Sequence, residues 1–154
     1  MVSISCRSRP AARGYRCRAV SSEFVSAPLA GGTVAPPGSD LVLTEVLDPG
    51  GTDPPTYIAP LHIHARDDEA WYVLEGELAF LLDGSEVRVP AGCGIVVPAG
   101  TEHTFWNPLT DRTRYLIIMT ATVHRLVEAL HEPGRQGDLD ALFRAHDSVL
   151  IGWP

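Results

Sequence analysis

Short hydrophobic runs fill the middle of the chain, and residues that favour turns separate them. Runs of four to eight residues bounded by Gly, Pro and Asp are typical of β-strands. Asp83-Gly84, between two of these runs, indicates a tight hairpin. The runs predicted as strands are residues 41–47, 57–64, 70–74, 77–82, 86–89, 94–97, 103–106 and 114–120. Strands this short and this regularly spaced predict an all-β sandwich or barrel.

The spacing of apolar residues becomes helical after residue 122. Apolar residues at positions 123, 126, 127 and 130 predict a helix that ends before Pro133-Gly134. A second short helix is predicted over residues 138–145, with Asp138 as its N-cap. We therefore interpret residues 29–122 as a β-barrel domain and residues 123–154 as a helical C-terminal cap that packs on it.

Residues 1–28 are predicted to form a separate N-terminal arm, flexible or extended. Residues 1–18 contain five of the twelve arginines, and residues 1–22 contain no acidic residue. The arm lacks the apolar core of a secretory signal. Three interpretations stay open: an organelle transit peptide, a start codon assigned too early, and an arm that packs on a neighbouring subunit. We favour the second.

Charge and composition exclude several classes of function. Residues 19–154 contain seven arginines and nineteen acidic residues. Binding to the phosphates of nucleic acid needs clustered positive charge, so we do not expect it here. The chain has no lysine, which excludes Schiff-base chemistry. No run is apolar and long enough to span a bilayer, and three cysteines make no disulfide framework. We expect a cytoplasmic protein whose partners include neither nucleic acid nor membrane.

Three histidines and one glutamate are the strongest candidates for chemistry. His62 and His64 are two residues apart in a predicted strand, so both side chains point to the same side. Two buried imidazoles need polar partners, and ligation of a metal ion supplies them. Glu69 begins the next predicted strand, and His103 begins a later one after the Pro98-x-Gly100 turn. Imidazole and carboxylate donors together suit a divalent transition metal.

The spacing of these residues resembles that of a known family. The stretch His62-x-His64-x4-Glu69-x6-Gly76 resembles the first motif of the cupin superfamily. The stretch Gly92-x5-Pro98-x-Gly100-x2-His103-x3-Asn107 matches the second motif at every position. One departure is Thr56, which stands where the family usually has a glycine. The C-terminal tail is similar to tails of small, single-domain quercetin-dioxygenase-like cupins.

The resemblance implies a fold, a metal and an assembly. The implied fold is a cupin-type β-sandwich or jelly-roll barrel with short C-terminal helices. The implied cofactor is one divalent transition metal per chain, held by His62, His64, Glu69 and His103. The type of ligand does not choose among Fe, Mn, Ni, Cu and Zn. Cupins commonly dimerise through an outer sheet face, and we expect a homodimer.

Strand parity predicts a pocket beside this metal site. If Glu69 and His103 point inward, the residues two and four positions further along their strands point inward too. The strand over residues 114–120 has a matching apolar stripe at every second position. The residues predicted to face inward are Trp71, Val73, Phe105, Tyr115, Ile117 and Met119. They predict an apolar, aromatic pocket for a planar small-molecule substrate. For each residue taken singly, plain core packing is the competing interpretation. Asn107 is interpreted as a turn residue, and His131 as a surface residue with a substrate contact as the alternative.

Three functions fit these residues. The favoured one is a mononuclear non-haem dioxygenase-like oxidoreductase that acts on a small aromatic or enolisable substrate, with Glu69 also serving as a catalytic base. The second is a non-redox metal enzyme, of the polyketide cyclase or isomerase type, that uses the metal as a Lewis acid. The third is a protein that binds a metal or a small molecule without turnover.

Overall fold

Two five-stranded antiparallel sheets face each other across an apolar core in the computed structural model, which describes residues 31–50, 56–134 and 137–154. The described strands are β1 Thr33–Val34, β2 Leu41–Asp48, β3 Leu61–His64, β4 Glu69–Glu75, β5 Glu77–Leu82, β6 Ser85–Pro90, β7 Gly94–Val97, β8 His103–Trp106, β9 Thr113–Thr120 and β10 Ser148–Gly152. The first sheet has the strand order β1-β2-β9-β4-β7, and the second has the order β10-β3-β8-β5-β6. The predicted all-β sandwich is therefore confirmed.

The predicted strands form close to their expected bounds, with one clear shift. Strand β3 begins at Leu61 and not at Tyr57. Pro60 has no backbone N–H and cannot donate to a strand ladder, so regular pairing begins only after it. Tyr57 keeps a single antiparallel bridge to Trp106.

The turn between β5 and β6 is the predicted hairpin. Leu82 pairs with Ser85, so Asp83 and Gly84 alone make the connection. Both have positive φ, 45° and 77°. Two successive residues with positive φ define the tight turn whose twist matches that of the flanking strands, and Asp-Gly favours it.

Aromatic side chains from both sheets form the centre of the core. The ring of Trp71 in β4 lies edge-on to Phe80 in β5, with centroids 5.1 Å apart, and tilted against Phe105 in β8, at 5.3 Å. Phe80 and Phe105 stack at 5.7 Å. Aromatic pairs at these separations add to the stabilisation from simple burial, so this cluster helps to hold the two sheets together.

Two helices follow the last strand of the first sheet. Helix α1 covers Ala121–Leu130, and the Thr120 side chain caps it by accepting from the N–H of Val123. Helix α2 covers Leu139–Ala145, with the predicted N-cap Asp138 accepting from the N–H of Asp140. None of the helices in the described ranges is long and apolar enough to cross a membrane.

The chain then returns to the second sheet, which the sequence pattern did not predict. Strand β10 pairs antiparallel with β3, the strand that carries two of the candidate histidines. The two-residue strand β1 was not predicted either. Residues 1–28, which include the predicted arm with Cys6 and Cys17, lie outside the described residues. Cys93 is exposed and forms no disulfide within the described residues.

Candidate metal centre

Four buried side chains converge between the two sheets. His62 and His64 come from β3, His103 is the first residue of β8, and Glu69 is the first residue of β4. The three histidines therefore belong to the second sheet and the glutamate to the first. One ligand atom from each lies within 4.8 Å of the others. The structure thus brings together all four residues that were predicted from the sequence to be metal ligands.

Local hydrogen bonds hold these strand ends in place. His62 pairs directly with His103 across β3 and β8. The N–H of Gly100 donates to the His64 carbonyl oxygen at 2.8 Å, which ties the Pro98-x-Gly100 turn to β3. The N–H of Ala99 donates to the Asp68 carboxylate at 2.8 Å, which ties the same turn to the loop before Glu69. The turn thus fixes the starts of β4 and β8 relative to each other.

The outer ring nitrogens show which way each imidazole presents its lone pair. His62 Nδ1 lies 2.7 Å from the Pro60 carbonyl oxygen, and His103 Nδ1 lies 3.0 Å from that of Thr101. A carbonyl oxygen only accepts, so both Nδ1 atoms carry the proton. In the neutral form, the Nε2 atoms of these two rings are then free to act as ligands.

The distances among the inner atoms fit a metal ion. His62 Nε2 lies 3.1 Å from His64 Nε2, and Glu69 Oε2 lies 3.2 Å from His103 Nε2 and 3.3 Å from His64 Nε2. Ligand bonds of about 2.1 Å place neighbouring donors about 3.0 to 3.4 Å apart for bond angles between 90° and tetrahedral. Neutral imidazoles with Nδ1–H would otherwise point lone pairs at one another, and a cation removes this repulsion. The four residues form a group that could hold one metal ion.

The pKa values of the metal-free cluster agree with this chemistry. Burial, reinforced by the neighbouring His103 and His64, lowers the pKa of His62 from 6.5 to about 3, so this imidazole is neutral near pH 7. Burial alone would raise the pKa of Glu69. When His103 and His64 are protonated, their Nε2–H groups donate to this carboxylate, and these hydrogen bonds outweigh burial and lower the pKa of Glu69 to about 2. An ionised carboxylate and a neutral imidazole are the forms that bind a divalent cation.

A cavity of about 460 Å³ opens beside this group. Small organic ligands typically occupy pockets of about 300–1,000 Å³ with a mainly apolar lining. Here the side chains of His62, His64 and Glu69 form a polar patch in an otherwise mainly apolar wall. Most of the remaining lining residues come from the strands, the segment before β3 and the two helices: Val46, Ile58, Phe105, Tyr115, Ile117, Val123, Leu126, Val127, Leu130, Leu139 and Phe143. His131 and Trp153 also line it.

The cavity separates the six predicted pocket residues into two groups. Phe105, Tyr115 and Ile117 line it. The other three do not. Trp71 and Val73 are buried in the central core cluster, and Met119 packs with Val42 and Val123. All six side chains point into the sandwich. Around Trp71, Val73 and Met119, however, the space between the sheets is filled by packed side chains, so these three do not reach the cavity.

Sequence reasoning missed two contacts to the histidines. The ring of Phe143 in α2 lies edge-on to His62 with centroids 5.6 Å apart. The Ser148 hydroxyl in β10 lies 2.7 Å from His64 Nδ1. Neither residue belongs to the two motifs. The helical spacing in α1 did signal an apolar face, and Val123, Leu126, Val127 and Leu130 on that face line the cavity.

Fold and site together define a small β-sandwich protein with a His₃Glu group, and comparison with protein families identifies the class. The model of the cupin domain matches residues 43–119, half of the chain. This protein therefore belongs to the cupin superfamily.

Individual relatives match over shorter stretches. The chain is 41% identical over 49 residues to "Probable oxidoreductase virH" of Hypocrea virens, covering 31% of this chain and 22% of that protein. It is 40% identical over 48 residues to "Oxidoreductase iacF" of Pestalotiopsis fici, covering 30% and 24%. The chain thus spans less than a quarter of the length of these curated relatives. Among solved structures, a sugar phosphate isomerase of the cupin superfamily from Silicibacter pomeroyi is 26% identical, with a TM-score of 0.47 over 53% of this chain and 51% of that chain.

Proposed function

We propose that this protein is a metal-dependent cupin enzyme, a mononuclear non-haem dioxygenase-like oxidoreductase that acts on a small aromatic or enolisable substrate. The observation that carries the proposal is the group of four buried donors on the wall of a mainly apolar cavity of about 460 Å³. The two oxidoreductase-named relatives support this class of reaction over about a third of the chain.

The donor set suits a redox-active or Lewis-acidic ion. His62, His64, Glu69 and His103 would hold one divalent transition metal. With three neutral ligands and one anionic ligand, the group keeps a net charge of about +1, which favours an anionic oxygen of a substrate. When bound, the metal would supply Lewis acidity, or electron transfer if it is Fe, Cu or Mn.

The cavity residues would bind and orient the substrate. The rings of Phe105 and Phe143 offer flat, apolar surfaces to a planar molecule, and the aliphatic side chains of α1 add apolar contacts. The same residues exclude water from the reacting groups, which strengthens electrostatic interactions there.

Glu69 has two proposed roles that its surroundings do not favour equally. A general base works best when its pKa lies near the working pH. The pKa of Glu69 is lowered to about 2 by its histidine partners. The ligand role therefore comes first, and a role as base requires that Glu69 be released from those partners.

Metal analysis combined with control of dioxygen tests the proposal. Protein purified without added metal should contain about one transition metal ion per chain. His62→Ala and His103→Ala should lose most of it and stay folded, whereas His124→Ala, a histidine of α1 outside the group, should keep it. A folded wild type that binds no transition metal contradicts the proposal.

The dependence of activity on dioxygen distinguishes the candidate reactions. Enolisable aromatic compounds should be consumed in air with uptake of dioxygen, and consumption should stop under anaerobic conditions. Consumption that continues without dioxygen refutes the oxidoreductase assignment and favours a cyclase or an isomerase. A metal-loaded protein that consumes none of the compounds favours binding without turnover.

We also propose a homodimer formed through the outer face of the first sheet. Leu41, Leu47, Tyr72 and Val96 alternate with buried residues along β2, β4 and β7, and all four are exposed. Exposed apolar side chains grouped on one face are typical of interaction surfaces. Light scattering should give twice the monomer mass for the wild type and the monomer mass for Val96→Arg. A monomeric wild type contradicts this.

A further inference from the structure

The group that faces Nδ1 of His64, its outer ring nitrogen, belongs to a side chain and not to the backbone. His64 Nδ1 lies 2.7 Å from Ser148 Oγ, whereas the corresponding atoms of His62 and His103 face the carbonyl oxygens of Pro60 and Thr101. Ser148 is buried, with 3% of its surface exposed. The orientation of His64 therefore depends on one replaceable hydroxyl group.

A second hydrogen bond decides which partner is the donor. Ser148 Oγ–H donates to the His146 carbonyl oxygen at 2.9 Å, which uses its only proton. The hydroxyl oxygen can then only accept from His64, so Nδ1 of His64 carries the proton. In the neutral ring, the lone pair is then on Nε2, which lies 3.1 Å from His62 Nε2 and 3.3 Å from Glu69 Oε2.

The backbone before Ser148 is held in an unusual conformation that produces this contact. Asp147 has φ of 51°, one of two non-glycine residues with positive φ in the described part of the chain. The Asp147 carbonyl oxygen accepts from the N–H of Ala65, and Ser148 pairs directly with His64 across β10 and β3. Left-handed backbone at a non-glycine residue persists where surrounding contacts hold it, and such residues cluster at functional sites.

We propose that Ser148 is a positioning residue for the metal group: it holds His64 in the Nδ1–H tautomer so that Nε2 is the ligand atom. The inference rests on the metal-binding function proposed above. It extends the site to the C-terminal strand, which lies outside both motifs. Hydrogen bonds to the outer nitrogen of a ligating histidine fix its ring and tautomer, and their loss typically weakens metal binding by about 10–100-fold.

Metal affinity with three variants gives the first test. Zn²⁺ affinity, measured by competition with a chromophoric chelator, should fall about 10–100-fold in Ser148→Ala. Ser148→Thr keeps a hydroxyl group and should bind within a few-fold of wild type. Ser85→Ala, an exposed serine on β6 of the same sheet, is the matched control and should not change. The Co²⁺ absorption spectrum should change in Ser148→Ala and be restored in Ser148→Thr.

The tautomer of His64 in the metal-free protein gives the second test, and it does not depend on metal binding. Long-range ¹H–¹⁵N spectra at about pH 8, where a free imidazole is neutral, should show the Nδ1–H form in wild type. They should show loss of that form in Ser148→Ala.

The two tests distinguish the failure of this inference from failure of the proposed function. A wild type that binds no metal but shows the expected change of tautomer refutes the metal function while supporting the role of Ser148 in fixing the ring. A folded Ser148→Ala variant with wild-type Zn²⁺ affinity, Co²⁺ spectrum and His64 tautomer overturns the inference.

Discussion

Acid should destabilise the metal-free protein through His62, and replacing this residue should remove the effect. The pKa of His62 is about 3 in the folded protein, because the ring is buried beside His64 and His103, against 6.5 for an exposed imidazole such as that of the unfolded chain. Between these two values the unfolded chain binds a proton at His62 and the folded protein does not. The stability that this difference supplies is fully present above pH 6.5 and is lost as the pH falls toward 3.

The size of the effect follows from the two pKa values. A group that titrates at 6.5 when unfolded and at about 3 when folded lowers the unfolding free energy by about 2 kcal/mol between about pH 8 and about pH 5. The lowered pKa of Glu69 also makes the protein less stable in acid. That stabilisation is lost only between about pH 4.5 and about pH 2, which is below the range between about pH 8 and about pH 5. His62 therefore dominates the contribution of these two residues.

Urea unfolding of chelator-treated protein measures this contribution. Wild type and His62→Gln are compared at both pH values, and the loss of unfolding free energy on acidification should be about 2 kcal/mol smaller in the variant. Histidines outside the group, such as His124, are present in both proteins and cancel in the difference. Equal losses in the two proteins would refute the argument that His62 is kept neutral by burial.

Three further substitutions test residues other than the four candidate ligands. Asn107→Ala removes three side-chain hydrogen bonds of a buried residue and should lower the unfolding free energy by about 2–4 kcal/mol without changing metal binding by the folded protein; a loss below about 1 kcal/mol contradicts this. Tyr115→Phe removes a buried hydroxyl that has no partner among the described residues, so urea unfolding should show equal or higher stability, and a loss of about 1 kcal/mol would reveal a hydrogen bond. Gly76→Ala should lower the melting temperature more than Gly84→Ala: both have positive φ, but a Cβ at Gly76 would lie 2.5 Å from Thr113 Oγ1, and equal effects would refute that contact.

The strand pattern and the four donor residues were predictable because both follow short-range rules. Period-two alternation places His62 and His64 on the same side of a strand, whatever the rest of the chain does. Asp83-Gly84 specifies its turn by its own backbone preferences. Asn107, interpreted as a turn residue, does accept from the N–H of Leu109 within its own loop.

The remaining features depend on contacts between distant parts of the chain. Parity predicts that Trp71 and Tyr115 both point inward, but it does not say how far along the strand the packed core ends and the cavity begins. Phe143 and Ser148 reach the histidines only because β10 returns to pair with β3. That pairing joins residues 84 positions apart, Ser148 and His64, and no local pattern signals it.

The distribution of the four donors over both sheets has a consequence for the whole molecule. Glu69 belongs to one sheet and the three histidines to the other, so a bound ion would act as a cross-link between the two layers. A ligand that binds only the folded state raises stability in proportion to the logarithm of its free concentration. Resistance of this protein to heat and to proteases would then follow the supply of metal in its surroundings, so that starvation for the ion would shorten the lifetime of the protein.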